Sequence, residues 1–216
     1  MPVIDVSDVD FGPTVKPLDN GDLRITANAH LEELRLDPVI VARLPALSEL
    51  LALVGASGIR NLATIGGNLA WGLGDTEILL VALGAQALFA GGTRIAIGNS
   101  LPTDVLMTAI EVPPALSANV FVEKVGHRAS FSPAKVVVSG CQLPDGGWLI
   151  ADRLGPTRPV ITILSGESVD IEAFSCSDPH LARIATNLIR RHIRLRRESV
   201  AWACKSPKNS PDVFAI

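Results

Sequence analysis

Ile59-Arg60-Asn61-Leu62-Ala63-Thr64-Ile65-Gly66-Gly67-Asn68-Leu69-Ala70 places a Thr, two adjacent Gly and an Asn between apolar runs. Adjacent glycines let the backbone approach a neighbour closely and can adopt positive φ without a Cβ penalty. A loop of this kind can turn successive backbone N–H groups into one concavity, a nest for phosphate oxygens. Thr64 and Asn68 add side-chain donors and acceptors at its rim. A tight turn between a helix and a strand has the same spelling, so the residues by themselves leave both readings open.

Moving outward, Asp19-Asn20-Gly21 ahead of Leu23–Ala27 predicts a hairpin turn and its return strand, after a short strand at Val3–Val6. His30–Leu34 and Pro38–Leu44 read as short helices, the second with Pro in its first turn. Leu47, Leu50, Leu51 and Val54 fall at helical spacing, and Gly55 and Gly58 end that helix. A helix over Asp75–Ala85 follows, then strands at Ala87–Phe89 and Arg94–Ile97, with Val105–Met107 and Ile110–Val112 as a further edge or hairpin. Pro and Ser cluster at Pro113–Asn119, where a domain boundary is expected. Beyond it, Val120–Lys124, the β-branched run Ala134–Gly140 and Trp148–Leu154 read as strands, the last two joined by Asp145-Gly146-Gly147. Asp178-Pro179 opens a helix striped with Leu181, Ile184, Ala185, Leu188, Ile189 and Ile193. The expected class is α+β, with one part over residues 1–113, a second over 119–204 and a disordered tail over 205–216.

The stretch from Arg60 resembles the Arg-Asn-x-Ala-Thr-Ile-Gly-Gly-Asn signature of the FAD-binding (medium) subunit of molybdenum hydroxylases, the carbon monoxide dehydrogenase and xanthine dehydrogenase type. Leu23-Arg24-Ile25 through Leu34 is similar to the family's strand and following helix. Asp75 with the run Ile78–Ala85 is similar to the acidic residue and helix after the signature. Glu123–Ser132 resembles the Lys-x-x-x-Arg segment that opens the family's C-terminal domain. The resemblance implies a flavin-binding subdomain of the vanillyl-alcohol-oxidase type, followed by a small domain with a three-stranded antiparallel sheet and helices.

It also implies roles. Thr64, Gly66, Gly67 and Asn68 would contact the FAD pyrophosphate and ribityl chain, and Ile65 would pack near the ring. Asp75 would accept from the adenosine ribose, or else cap the helix it begins. Lys124 would lie at the flavin N1–C2 end, or else be a surface lysine. Gly72-Leu73-Gly74 departs from the Pro-containing turn usual in the family. Met1–Val6 resembles the segment that follows the family's first Ala-Gly-Gly-Thr loop, so half the phosphate grip is expected to be missing and FAD to be weakly held or lost. Ala90-Gly91-Gly92-Thr93 spells that loop, but with Arg94 behind it the stretch reads as a hairpin. By the same resemblance the chain would pass electrons from iron–sulfur clusters to FAD and an acceptor. A molybdenum-cofactor large subunit and an iron–sulfur small subunit would be its partners, with a homodimer as an option. The alternative is a non-catalytic family remnant used in assembly.

Composition bounds the rest. Over 216 residues the chain is 48% hydrophobic with net charge −3, which suits a sizeable core and gives no basic stripe for nucleic acid. The Arg-rich patch at Arg190–Arg197 reads as a solvated helix face or subunit contact. Three scattered cysteines, Cys141, Cys176 and Cys204, form neither a zinc pattern nor the four thiolates of an iron–sulfur cluster. His180 and His192, spaced 12 residues apart, cannot make a metal pair on one helix. No catalytic residue and no metal ligand is assigned. Absence of a secretory leader and of an apolar run near 20 residues points to a cytoplasmic protein.

Overall fold

The computed structural model describes residues 9–114, 119–128, 132–164, 174 and 177–205, with side chains up to residue 195. The expected strand at Val3–Val6 and the tail beyond Lys205 lie outside the described residues, as does Cys176.

Asp19-Asn20-Gly21 turns β1 (Val15–Pro17) into β2 (Leu23–Thr26). Gly21 holds φ +89°, a conformation an L side chain resists, and its N–H donates to Leu18 O. Ala90–Thr93 likewise turns β3 (Gln86–Phe89) into β4 (Arg94–Ala96), with Phe89 N donating to Thr93 O at 2.9 Å. The expected edge or hairpin over 105–112 is one strand that begins at Met107: β5 (Met107–Val112) inserts between β2 and β3. The sheet runs β1-β2-β5-β3-β4, antiparallel throughout. On one face Glu111, opposite both Arg24 and Gln86, takes Arg24 at 2.6 Å and also pairs with Arg94, so its buried carboxylate is doubly compensated.

Six helices fill the connection between β2 and β3. They are α1 (Leu31–Leu36), α2 (Pro38–Arg43), α3 (Pro45–Ala52), α4 (Ser57–Arg60), α5 (Ile65–Ala70) and α6 (Asp75–Ala82). Asp37 caps α2, accepting from Val39 N at 2.8 Å and Ile40 N at 3.0 Å, with Pro38 at the first helical position. Gly55, at φ +52°, closes the turn after α3; Gly58 does not end that helix but lies inside α4. Every residue of α6 from Thr76 to Ala82 is buried. A helix buried all round needs cover on every side, and α6 has it between α3 and the second sheet.

That second sheet is a meander of β6 (Val120–Gly126), β7 (Ala134–Gln142), β8 (Trp148–Leu154) and β9 (Val160–Leu164). It has four strands where three were expected. The fourth, Val-Ile-Thr-Ile-Leu after Pro159, is a short β-branched run that pairs with β8 from Asp152 to Trp148. Val137, Cys141 and Ala151 join the core around α6. The other face carries Phe121, Val136, Val138, Trp148, Ile150 and Leu154 against α7 (Pro179–Lys205), whose Ala182, Ala185, Ile189 and Ile193 are buried there. Asp178 caps α7, accepting from His180 N at 2.8 Å. Among the described residues no helix is long and apolar enough to cross a membrane.

Asp152 in this second sheet has no counter-charge among the described residues. Asp152 is 1% exposed, its Oδ1 has no hydrogen-bond partner among the described residues, and burial pushes its pKa up to about 6. A carboxyl whose folded pKa lies above its unfolded value is best tolerated while protonated, so its stability contribution is lost as pH rises through about 6. Relative to Asp152→Asn, the native protein should therefore lose about 2–3 kcal/mol of unfolding free energy between about pH 4 and pH 8. Denaturant titrations of both proteins at the two pH values check this; parallel pH profiles would refute it.

Candidate functional site

The glycine-rich segment does not form a loop. Thr64 takes extended backbone (φ −103°, ψ 159°) and its Oγ1 accepts from Gly67 N at 3.1 Å, making it the N-cap of α5. Gly66 and Gly67 are in the first turn of that helix, and neither has positive φ. In place of the nest or tight turn that the spelling left open, the segment opens a helix. Two neighbouring N–H groups are already taken: Ile65 N donates to Ala29 O at 3.0 Å and Gly66 N to Ala27 O at 2.9 Å. The chain leaving β2 thus binds the segment on one side, with His30 and Thr64 bridged.

The seven residues expected to form the site divide three ways. Ile65 is fully buried in the core, and Gly66 backs onto Ala27, where a Cβ would stand 2.7 Å from Ala27 O. Thr64, Gly67 and Asn68 lie along the open side; a Cβ on Gly67 would meet nothing within 4 Å except Thr64 Oγ1. Thr76, on α6, donates to Asn68 Oδ1 from Oγ1 at 2.5 Å and from N at 3.4 Å. A backbone N–H can only donate, so the amide orientation is set and Nδ2 is the end left for a ligand. Around this edge stand large apolar side chains in solvent: Leu62 is 79% exposed and Trp71 68%, with Ile59 also exposed.

Asp75 and Lys124, the third group, meet each other. Lys124 Nζ lies 2.6 Å from Asp75 Oδ2 and donates to Leu53 O at 3.0 Å. The partner that sequence reading missed is Arg153 on β8. Its Nη2 donates to Asp75 Oδ1 at 2.9 Å and its Nη1 to Gly74 O at 3.1 Å, with Glu77 Oε2 4.0 Å away. Side chains of Arg153, Lys124 and Asp75 are only 4%, 6% and 12% exposed. Burial pushes the Glu77 carboxyl above its ordinary range, with the opposite pull of Arg153 too distant to cancel it. The available signal was Arg153 inside an otherwise apolar strand, since a buried cation is costly unless it is paired.

Arg60, the first residue of the quoted motif, is buried and structural. It pairs with Glu32 and donates to Val54 O at 3.2 Å and Gly55 O at 2.9 Å, satisfying carbonyls that α3 leaves open. Arg35 and Arg60 together hold the Glu32 carboxyl at about 2. His192 stacks on Phe121, centroids 4.3 Å apart, and bonds Glu123 at 2.8 Å. Among the described residues no three His, Cys, Asp or Glu gather as a metal site.

Residues 2–115 match the family model described as the FAD binding domain in molybdopterin dehydrogenase. The Escherichia coli (strain K12) protein YgfM is 40% identical over 96 residues, 43% of this chain. That alignment covers 36% of YgfM, so the chain spans about a third of the length of the curated relatives it matches. Among solved structures, the cyanide-inactivated Cu,Mo-CO dehydrogenase superposes with TM-score 0.71 at 19% identity, covering 83% of this chain and 76% of that one. Carbon monoxide dehydrogenase from Hydrogenophaga pseudoflava gives 0.68 at 20%, covering 82% and 75%. Quinoline 2-oxidoreductase from Pseudomonas putida 86 gives 0.67 at 18%, covering 86% and 78%. At these identities the superpositions establish a shared fold.

Proposed function

Since the chain belongs to the family of FAD-binding domains in molybdopterin dehydrogenases, we propose that it is the electron-transfer flavin subunit of a molybdenum hydroxylase complex, working in the cytoplasm. Iron–sulfur clusters in a small partner subunit would feed it, and a molybdenum-cofactor large subunit would choose the substrate. When bound, FAD supplies the redox chemistry; the protein's part is to hold and orient it.

The single observation that supports this reading is the open edge of α5. Thr64 Oγ1, having accepted from Gly67 N, keeps its own proton to donate, and Asn68, whose Oδ1 is engaged by Thr76, keeps its Nδ2 donors for a ligand. Between them Gly67 presents backbone with no side chain in the way. This donor set fits phosphate oxygens. Lys124 and Asp75 would then act from behind the edge, as part of the buried ion cluster, rather than through free contacts of their own. Occupied N–H groups on Ile65 and Gly66 favour the second reading, a family member serving assembly without flavin.

FAD titration separates the two. The open-edge donors are neutral, each worth about 0.5–1.5 kcal/mol, so this chain by itself should bind FAD more weakly than about 1 µM. Gly67→Val should raise Kd at least about tenfold, because a side chain there stands where the phosphate approaches, and it should leave the unfolding midpoint nearly unchanged. Fluorescence quenching of FAD reads both. Equal curves for the two proteins would move the site elsewhere, and no binding by either, with the fold intact, would favour the assembly role.

A further inference from the structure

The second sheet reaches the turn that follows the glycine-rich segment through two side chains, Arg153 and Lys124. Arg153 holds the two residues that lead into α6: Nη1 donates to the Gly74 carbonyl at 3.1 Å and Nη2 to the Asp75 carboxylate at 2.9 Å. Lys124 fixes the other oxygen of Asp75 from β6. The next residue, Thr76, gives both its N–H and its hydroxyl to Asn68 Oδ1. Gly74 is itself pressed against Asn68, leaving no room for a side chain: a Cβ would lie 2.7 Å from Asn68 Cγ and closer still to its oxygens. A continuous line of contacts therefore runs from Arg153 through Gly74, Asp75 and Thr76 to Asn68. It ends on the Asn68 amide, with Oδ1 engaged and Nδ2 left as the donor end beside the half-exposed edge of Thr64 and Gly67.

The turn this line secures has little else to hold it. Trp71 and Leu73 are exposed, and Gly72 sits at φ +73° with open space around it. Backbone bonds from Trp71 N to Gly67 O and from Gly72 N to Leu69 O tie the turn to α5, but they do not fix α5 against α6. Side chains that present ligand donors stay in place only when a supporting layer locks them.

We propose that Arg153 is a positioning residue for the flavin edge: by clamping Gly74 and Asp75 from the second sheet, it lets Thr76 aim the Asn68 amide outward beside Gly67. This rests on reading Thr64–Asn68 as that edge. Arg153 acts through Asn68 and touches no ligand. It also makes the second sheet, rather than the helices alone, responsible for the shape of the edge.

The test uses the full chain and two readouts, hydrogen exchange and FAD titration, on Arg153→Met, Arg153→Lys and Thr76→Val. Amides of Asn68–Gly72 should exchange at least about tenfold faster in Arg153→Met and Thr76→Val, over and above any change at Val136–Val138 in the centre of β7. Arg153→Lys, which keeps the charge but one arm of the fork, should recover part of the protection. FAD affinity should fall at least about fivefold in the two disruptive variants and partly return with Lys. An equal rise at Val136–Val138 would mean general destabilisation, and unchanged exchange at Asn68–Gly72 would mean no clamp; either overturns the proposal. Faster local exchange in a protein whose native form binds no FAD would keep the clamp and overturn the flavin reading of the edge.

Discussion

Asp75→Ala should cost the fold about 3–5 kcal/mol, because it leaves two buried cations facing each other without their shared anion. Lys124 at 2.6 Å and Arg153 at 2.9 Å come to Asp75 from different strands, and neither has water to fall back on. The other carboxylate in reach, Glu77, has its Oε2 4.0 Å from Arg153, and that oxygen has no hydrogen-bond partner among the described residues. It cannot replace Asp75 without moving α6, whose every neighbour is packed core. For a chain of this size the loss amounts to about 6–20 °C in Tm. Scanning calorimetry and urea unfolding of Asp75→Ala measure it. A change below about 1 kcal/mol, the range of surface ion pairs, would show that the cluster is solvated and holds nothing together. Replacing Asp75, Lys124 and Arg153 together with apolar residues of similar size should recover much of the stability, since the burden of Asp75→Ala is uncompensated charge.

The neighbouring glycines should part company on substitution. Gly66→Ala is expected to destabilise by about 1–3 kcal/mol, the usual range for a methyl forced into packed space. The obstruction is backbone, Ala27 O at 2.7 Å together with Ala27 Cβ at 2.9 Å, and the Gly66 N–H bond to that same oxygen would be stretched or lost as the two move apart. Gly67→Ala meets only the Thr64 hydroxyl at 3.1 Å and gains helix propensity, so its effect should lie between neutral and about 1 kcal/mol stabilising. Thermal unfolding of the two variants side by side decides the matter. Equal losses would mean that α5 is not seated on Ala27 as described.

Much of this molecule was legible in its sequence, and the reasons are local. Gly21 and Gly91-Gly92 sit where the backbone turns through positive φ, so the hairpins they make could be placed from residue type alone. Ala134–Gly140 and Trp148–Leu154 are runs whose side chains suit a pleated buried surface, and both became strands. Asp37-Pro38 and Asp178-Pro179 spell a cap followed by a ring already set to helical φ, and a helix begins at each. The motif from Arg60 to Asn68 named the family, which residues 2–115 bear out.

Tertiary structure decided what distant parts do to one another. Two adjacent glycines are poor helix formers, so nothing local predicts that Ile65–Ala70 is helical; Ala27 and Ala29 take its N–H groups and Thr64 caps it. Asp75 could cap a helix or receive a ligand as far as sequence went, and Lys124 could lie on the surface. Their pairing, and the part of Arg153, follow from α6 being sandwiched against the second sheet, where desolvation makes an unpaired charge costly. Residue types and spacing set the turns, strands and caps because those depend on backbone sterics within a few residues. Which donors face inward and which remain for a ligand depended on packing between layers, and that is fixed only when the whole chain has folded.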